Sequence, residues 1–137
     1  RYTSEVLTRG ALLGASDYVQ AQRFRSYWKR AVAAAMADID VLITPTSITP
    51  APRRSEMSPE KQLSGSSFTS QWNLTGLPAM AIPCGATEAG LPLSMQIIGK
   101  PFAEATVFAV GDAYQQLTGY HLRVPPVAAA TPEVTAV

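Results

Sequence analysis

The sequence predicts an α/β sandwich, a fold class in which helices cover the faces of a β-sheet. A long helical pattern near the N-terminus is followed at once by a β-prone run at residues 40–44. This run shows no polar alternation, which is typical of a strand covered on both faces. Two further β-prone runs and a second helical pattern follow in the C-terminal half. A helix that leads directly into a buried strand indicates layered α/β packing.

The first long helix is predicted over residues 16–38. Ser16 would cap its N-terminus, and Asp17 would favour the positive end of the helix dipole. Apolar residues recur at steps of three and four and are expected to face the core. They are Tyr18, Ala21, Trp28, Val32, Ala35 and Ile39. Arg25 falls on the same stripe. The aliphatic part of its side chain would pack at the edge of the core, or its guanidinium group would bind a buried carboxylate or carbonyl. Residues 1–14 form a mixed lead-in.

Proline and glycine residues divide the middle of the chain into a long connection, a short helix and two strands. Pro45 stops the first strand and opens a long connection that reaches residue 66, and loops of such length often carry function. A short helix should then end near Gly76, and two strands should form a hairpin through residues 85–90. The predicted bounds are residues 67–74 for this helix and residues 79–83 and 93–98 for the two strands.

The last predicted strand has one polar face. Ser94 and Gln96 precede Ile98 on that face, whereas Met95 and Ile97 lie on the other. The more polar face indicates a sheet edge or a side turned towards a site.

A second long helix is predicted over residues 103–118, and Gly119 would stop it. Its buried face would be formed by Val107, Val110, Tyr114 and Leu117. Residues 124–137 form a tail rich in proline and alanine, which we expect to be flexible and separate from the domain at residues 1–123.

Composition and charge exclude several partner classes. The 137 residues are 15% charged, against about 25% in typical domains, so part of the surface is expected to be covered. Net charge is +1 without a basic cluster longer than Arg53-Arg54, so a nucleic-acid partner is not expected. No apolar run is long enough for a bilayer. The chain begins at Arg1, and we interpret it as part of a longer product that self-associates or pairs with a missing N-terminal portion.

Few side chains suggest catalysis or ligand binding. The single His121 is expected at the surface, and one histidine with one cysteine does not make a metal site. Cys84 is expected to be a buried, inert thiol, and with no partner for a disulfide it favours a cytoplasmic location. Serines 66 and 67 after Gly65 suit a turn and a helix cap. No cofactor is expected.

Two amides and one aromatic ring remain ambiguous in the sequence. Asn73 and Gln96 lie in apolar segments, where each is expected to pin a loop or a strand through hydrogen bonds. Trp72 would be a core aromatic residue or the wall of a pocket.

Five motifs occur in a fixed order along residues 9–118: ASDYVQA preceded by Arg9-Gly10, DVLITPT, FTSQWNLTGLPA, GLPLSMQIIG and PFAE. Together they resemble the late segments of the amidase-signature family of hydrolases. The resemblance implies an α/β/α sandwich with a large mixed sheet, incomplete in this chain. It also implies hydrolysis of a carboxamide to acid and ammonia through a Ser–Ser–Lys triad, without metal or cofactor. That triad belongs to an earlier stretch of the family sequence, so no catalytic residue is assigned here.

The resemblance also implies candidate substrate contacts on the acyl side of the pocket: Thr46, Ile48, Ser66 and Trp72. The amidotransferase members of the family usually carry an aspartate where this chain has Ser66, suited to the ammonium group of their substrate. A neutral residue there indicates a small neutral carboxamide. The amidase-like component of a tRNA-dependent amidotransferase and a non-catalytic interaction module remain alternatives. The chain alone is expected to be inactive.

Overall fold

The computed structural model describes residues 2–58 and 67–125, and it confirms the α/β class. The helices are α1 (Tyr2–Ala11), α2 (Ala15–Ala35), α3 (Ser70–Thr75) and α4 (Glu104–Leu117). The strands are β1 (Val41–Pro45), β2 (Ala79–Ala86) and β3 (Pro92–Gly99). Short 3₁₀ helices occur at Arg54–Glu56 and Tyr120–Leu122. The predicted tail at residues 124–137 lies outside the described residues, except for Val124 and Pro125.

The three strands form one sheet in the order β1-β3-β2, and both pairings are antiparallel. The predicted hairpin between β2 and β3 is confirmed. Its turn is closed by hydrogen bonds between Thr87 and both Gly90 and Leu91, with Gly90 at a φ of 80°. Such a short connection makes β2 and β3 antiparallel, so the described residues do not show the expected mixed sheet. β3 is the central strand, so the suggestion that it forms a sheet edge is wrong.

One face of the sheet carries a small apolar core beneath α4. Ile82 and Ile97 pack there with Val107, and all three side chains are buried. Val110 and Tyr114 pack against the same cluster, which confirms three of the four residues predicted for the buried face of α4. The fourth, Leu117, is 86% exposed. It is the last residue of α4, and the chain leaves the helical path at Thr118.

Gly99 makes the close approach of α4 to β3 possible, and we expect Gly99→Ala to destabilise the fold. A Cβ atom at this position would lie 2.7 Å from the Val107 Cγ2 atom and 3.3 Å from the backbone oxygen of Ala103. Neither neighbour moves easily, because valine is restricted to one rotamer in a helix. We expect the free energy of unfolding to fall by about 2 kcal/mol in a urea titration.

Gly119→Ala is the control for this variant. A Cβ atom there meets nothing within 4 Å, and the φ of Gly119 is −100°, so its stability should stay within about 0.5 kcal/mol of the parent. Equal losses from the two variants would contradict the close-packing argument.

On the second face of the sheet, Gln96 bonds to the segment before α3, and α3 packs against α2. Trp72 and Met36 are buried on this side, as is Ile98 of the central strand. The Arg25 Nε atom donates a hydrogen bond of 2.6 Å to the backbone oxygen of Leu74 at the end of α3. Of the alternatives for Arg25, carbonyl binding is therefore confirmed. Gly76 ends α3 with a φ of 76°, as predicted.

The N-terminal half of the chain departs from the prediction in several places. The lead-in is helical as α1, and Gly14 rather than Ser16 precedes α2, with its N–H donating to the Asp17 carboxylate at 3.3 Å. Trp28 and Val32 are half-buried as expected. The other members of the predicted stripe, Tyr18, Ala21, Ala35 and Ile39, are exposed. Tyr18 and Ala21 lie in the first two turns of α2, before Arg25 contacts the end of α3.

The prediction that β1 is covered on both faces is also wrong. Ile43 lies opposite Ile97 in the register and therefore points to the α4 side of the sheet, yet it is 50% exposed. The helix α4 packs on β2 and β3, so β1 extends beyond its cover. Among the described residues, no helix combines the length and apolar character needed to cross a bilayer.

Candidate functional site

A row of paired polar side chains lies where β1 ends and β3 begins. Ser94 and Thr46 are held together by two hydrogen bonds. The Ser94 hydroxyl donates to the Thr46 Oγ1 atom at 2.7 Å, and the Thr46 backbone N–H donates to the Ser94 backbone oxygen at 3.2 Å. One step further into the sheet, the Gln96 Nε2 atom donates to the Thr44 Oγ1 atom at 2.9 Å. Alternate residues share a face, so these four side chains form one row that runs from the core to the surface.

Gln96 joins this row to the start of α3. Its side chain is 3% exposed, and its Nε2 atom also lies 3.1 Å from the Pro45 backbone oxygen and 2.8 Å from the Phe68 backbone oxygen. A carboxamide has two N–H bonds, so the three acceptors share them. The prediction that Gln96 pins a loop or a strand is confirmed, and the amide holds both the end of β1 and the segment before α3.

A groove of about 340 Å³ adjoins the exposed end of the row. Ile48 lines it from one side and Leu93 and Ser94 line it from the other, with a run of prolines completing the wall. The described residues that line the groove include no Asp, Glu, Lys, Arg or His. The groove therefore offers hydroxyl groups and apolar surface, a combination typical of sites for small uncharged ligands.

The predicted site residues fall in different places. Thr46 and Ile48 are two residues apart and lie at the same end of the sheet, beside the polar row and the groove. Trp72 lies within α3 and is 6% exposed, and it does not line the groove. Ser66 lies outside the described residues. The described structure thus brings two of the four candidates together.

The indole N–H of Trp72 is buried and has no hydrogen-bond partner within the described part of the chain. Leaving a donor unsatisfied in this way costs about 1–3 kcal/mol. We therefore expect Trp72→Phe, which removes the donor and keeps an aromatic ring, to change the free energy of unfolding by less than about 1 kcal/mol. Chemical denaturation followed by circular dichroism would measure the change.

Trp72→Ala is the companion variant, because it removes the whole ring and should cost about 3–5 kcal/mol. A loss from Trp72→Phe as large as that from Trp72→Ala would show that the N–H has a partner after all, and would contradict the expectation.

The remaining sequence candidates are mostly structural. Ser67 accepts hydrogen bonds from the backbone N–H groups of Thr69 and Ser70 at 3.2 Å each, which confirms its predicted turn role. The residue that precedes α3 is Thr69, and it makes no side-chain cap. His121 is exposed as expected, whereas Cys84 is a half-buried free thiol rather than a fully buried one. Asn73 is exposed, and its side chain makes no hydrogen bond to the described residues, so the expected pinning role is wrong.

Sequence reasoning singled out Gln96 but not its partners. Its partner Thr44 is not among the candidates, and the Pro45 and Phe68 oxygens that Gln96 binds belong to the backbone, which no residue pattern reveals. The one available signal was the polar alternation of Ser94 and Gln96 on the last strand. Within residues 2–58 and 67–125, no group of three or more His, Cys, Asp or Glu side chains is placed to hold a metal.

Comparisons with known proteins identify the family. The family model described as Amidase matches residues 3–108. The glutamyl-tRNA(Gln) amidotransferase A chain of Chloroflexus aggregans is 42% identical over 115 residues, which are 82% of this chain and 23% of that protein. An amidase from Pseudomonas putida is 39% identical over 140 residues, covering 94% of this chain and 30% of that protein.

A solved structure of 6-aminohexanoate cyclic dimer hydrolase superposes with a TM-score of 0.77 at 22% identity, covering 93% of this chain and 30% of that one. Identity at this level shows the fold alone. The chain spans less than a third of the length of each of these proteins. The family match, the two related sequences and the shared fold agree, and the chain belongs to the amidase-signature family of hydrolases.

Proposed function

We propose that this chain forms the acyl-side wall of the substrate pocket in an amidase that hydrolyses a small neutral carboxamide to its acid and ammonia. The observation that carries the proposal is the uncharged groove beside Thr46 and Ile48. The Ser–Ser–Lys triad that the family resemblance implies would come from sequence outside these residues. No residue of this chain is assigned a catalytic role.

The chemistry of the groove favours a neutral substrate over an amino acid. Glutamine carries an ammonium and a carboxylate group, and burying either without a charged partner is strongly unfavourable. The groove beside Ile48 supplies no such partner from the described residues. The position where the amidotransferase members of the family usually carry an aspartate is Ser66 in this sequence. An apolar or aryl acyl group loses little on entering an uncharged, largely apolar groove.

A segment exchange tests this proposal. The Pseudomonas putida amidase matches 94% of this chain, so the corresponding 30% of that enzyme can be replaced by residues 1–137. We expect the folded chimera to release ammonia from benzamide or indoleacetamide and to leave glutamine intact. A folded chimera that hydrolyses glutamine in preference to the neutral amides would overturn the proposal, as would one that hydrolyses none of them.

The isolated chain is the negative control for that exchange. It is expected to release no ammonia from benzamide, because the nucleophilic serine and the lysine base of the family are not assigned to any of its residues. Turnover of benzamide by the purified chain would contradict the placement of the triad elsewhere.

A second candidate function is that of the amidase-like component of a tRNA-dependent amidotransferase, and the specific observation in its favour is the 42% identity to the Chloroflexus aggregans protein. A Ser66→Asp variant of the chimera separates the two candidates. If the site is built for neutral amides, the new carboxylate should lower benzamide turnover. If the site belongs to an amidotransferase, glutamine hydrolysis should be present before the substitution, and the protein should co-purify with a glutaminase partner.

We also propose that the chain pairs with the remainder of an amidase domain, in the cytoplasm, where the free thiol of Cys84 is stable. The first two helices and the connection between them expose a series of large apolar side chains, which is unusual for an isolated surface. They are Leu7, Leu12, Leu13, Tyr18, Phe24 and Tyr27. Co-expression with the part of the Pseudomonas putida amidase that this chain does not match should yield a stable complex. A chain that stays monomeric and does not bind that portion would count against this proposal.

A further inference from the structure

A second groove, at the other end of the sheet from the polar row, runs along the C-terminal half of α2. It has a volume of about 270 Å³, and Val32 and Met36 form its wall on α2 while Leu77 forms the opposite wall. At about 30 Å³ for each water-sized group, this space holds about nine non-hydrogen atoms. Except for its ends, the groove is lined almost entirely by apolar side chains.

A lysine lies at each end of this groove. Lys29 lines it near the middle of α2, and Lys100 lines it beside Ala37, just beyond the last turn of the helix. Lys29 and Ala37 are eight residues apart, so the two ends are separated by about 12 Å along the helix axis. Within the described part of the chain, neither ammonium group is paired with a carboxylate.

The Lys100 ammonium group is held in place before any ligand binds. Its Nζ atom donates a hydrogen bond of 2.9 Å to the backbone oxygen of Ala37, and the residue is half-buried. An ammonium group has three N–H bonds, so two remain for a ligand. A donor that is already fixed loses less side-chain entropy on binding than a free lysine does.

We propose that this groove is a binding site for an elongated apolar dicarboxylate. The apolar walls of Val32, Met36 and Leu77 would contact its methylene chain, and Lys29 and Lys100 would each bind one carboxylate. A dicarboxylate chain matches the backbone spacing of the two ends, whereas a compact anion such as phosphate is much shorter than that spacing. A fatty acid with a single carboxylate would form an ion pair with one lysine and leave the other without a carboxylate partner.

Titration calorimetry of the 137-residue chain with octanedioate and octanoate tests the proposal. The six methylene groups of octanedioate fit within the groove, and its two carboxylates would extend to the lysines at the ends. We expect octanedioate to bind about fivefold more tightly, because its second carboxylate gains one further partly exposed ion pair. Lys29→Gln and Lys100→Gln should each weaken octanedioate binding about fivefold and remove its advantage over octanoate. Arg30→Gln is the matched control, since it removes one cation from the same helix outside the groove, and it should leave the affinity unchanged.

Ala33→Phe tests the apolar part of the site without altering its charge. Ala33 lines the groove and is exposed, so a phenyl ring there would fill the space, and carboxylate binding should be lost while the circular dichroism spectrum is retained. Equal affinity for octanedioate in the parent and in Ala33→Phe would overturn the proposal, as would equal losses from Arg30→Gln and Lys29→Gln. If Ala33→Phe instead converts a dimer to a monomer and no carboxylate binds, the groove is an interface between copies and the proposal is wrong.

Discussion

Ile97→Ala is expected to lower the free energy of unfolding by about 3–4 kcal/mol, among the largest effects of any single truncation in this chain. Ile97 is 0% exposed and lies on the central strand, where it packs against Ile82 and Val107 beneath α4. Because both neighbouring strands and a helix surround the side chain, the cavity left by the truncation cannot close easily. The loss therefore combines the transfer energy of the removed atoms with the energy of the cavity.

Ile43→Ala is the matched control, because Ile43 is the same residue type and lies directly opposite Ile97 in the register of β1 and β3. It is 50% exposed, so truncation should cost about 1 kcal/mol or less. Urea titrations of the two variants measure the difference. Similar losses at the two positions would mean that Ile43 is covered in solution, and the two-sided burial predicted for β1 from sequence would then hold in the assembled protein.

The elements that sequence predicted best are those with local determinants. Gly76 ends α3 because a residue with a φ of 76° favours glycine, and a glycine before a proline-bearing segment is visible in the sequence. The hairpin between β2 and β3 is equally local, since its turn is closed by hydrogen bonds within residues 87–91. In both cases the interactions that fix the structure join residues within five positions of one another.

Burial was predicted less well, because it depends on what packs against an element and not on the element itself. The stripe from Tyr18 to Ile39 has helical spacing, but only Trp28 and Val32 among its apolar members are half-buried, and Tyr18 is 65% exposed. Ile43 shows the same limit in a strand, since it is exposed because α4 packs on β2 and β3 and not on β1. Periodicity identifies an apolar face, and the neighbouring element decides whether that face is covered.

The candidate site was predictable only in part for a related reason. Gln96 bonds to Thr44 across 52 positions of sequence and to Phe68 across 28. Alternation along the strand showed that Ser94 and Gln96 share a face, but the partners of that face come from segments brought together by the fold. The family resemblance pointed to Thr46 and Ile48, and the polar row gives a physical reason why the backbone around Thr46 is fixed.

Gln96→Leu is the second substitution with a large expected effect. Leucine has a similar volume but no donor, so the Phe68 and Pro45 backbone oxygens and the Thr44 hydroxyl would all lose the amide that binds them. We expect the free energy of unfolding to fall by about 3 kcal/mol, because hydrogen bonds are lost and buried acceptors are left without a partner. Gln116→Leu is the control, because Gln116 is exposed and, among the described residues, bonds to Asp112 on the same helix alone, and it should cost less than about 0.5 kcal/mol.

Gln96→Glu shows whether the donor or the shape of the side chain matters. Glutamate is nearly isosteric with glutamine, so a role in packing alone predicts that Glu is tolerated better than Leu. An ionised carboxylate has no donor and would face two backbone oxygens that can only accept, while of its three partners only the Thr44 hydroxyl could donate to it, which is strongly unfavourable in a buried position. We therefore expect Glu to destabilise the chain more than Leu at neutral pH, and the reverse order would exclude the hydrogen-bonding role. In the amidase chimera, either variant should raise KM for a neutral amide more than it lowers kcat. The reason is that loss of the Gln96 amide frees the end of β1 next to Thr46, and no reacting group is assigned to that segment.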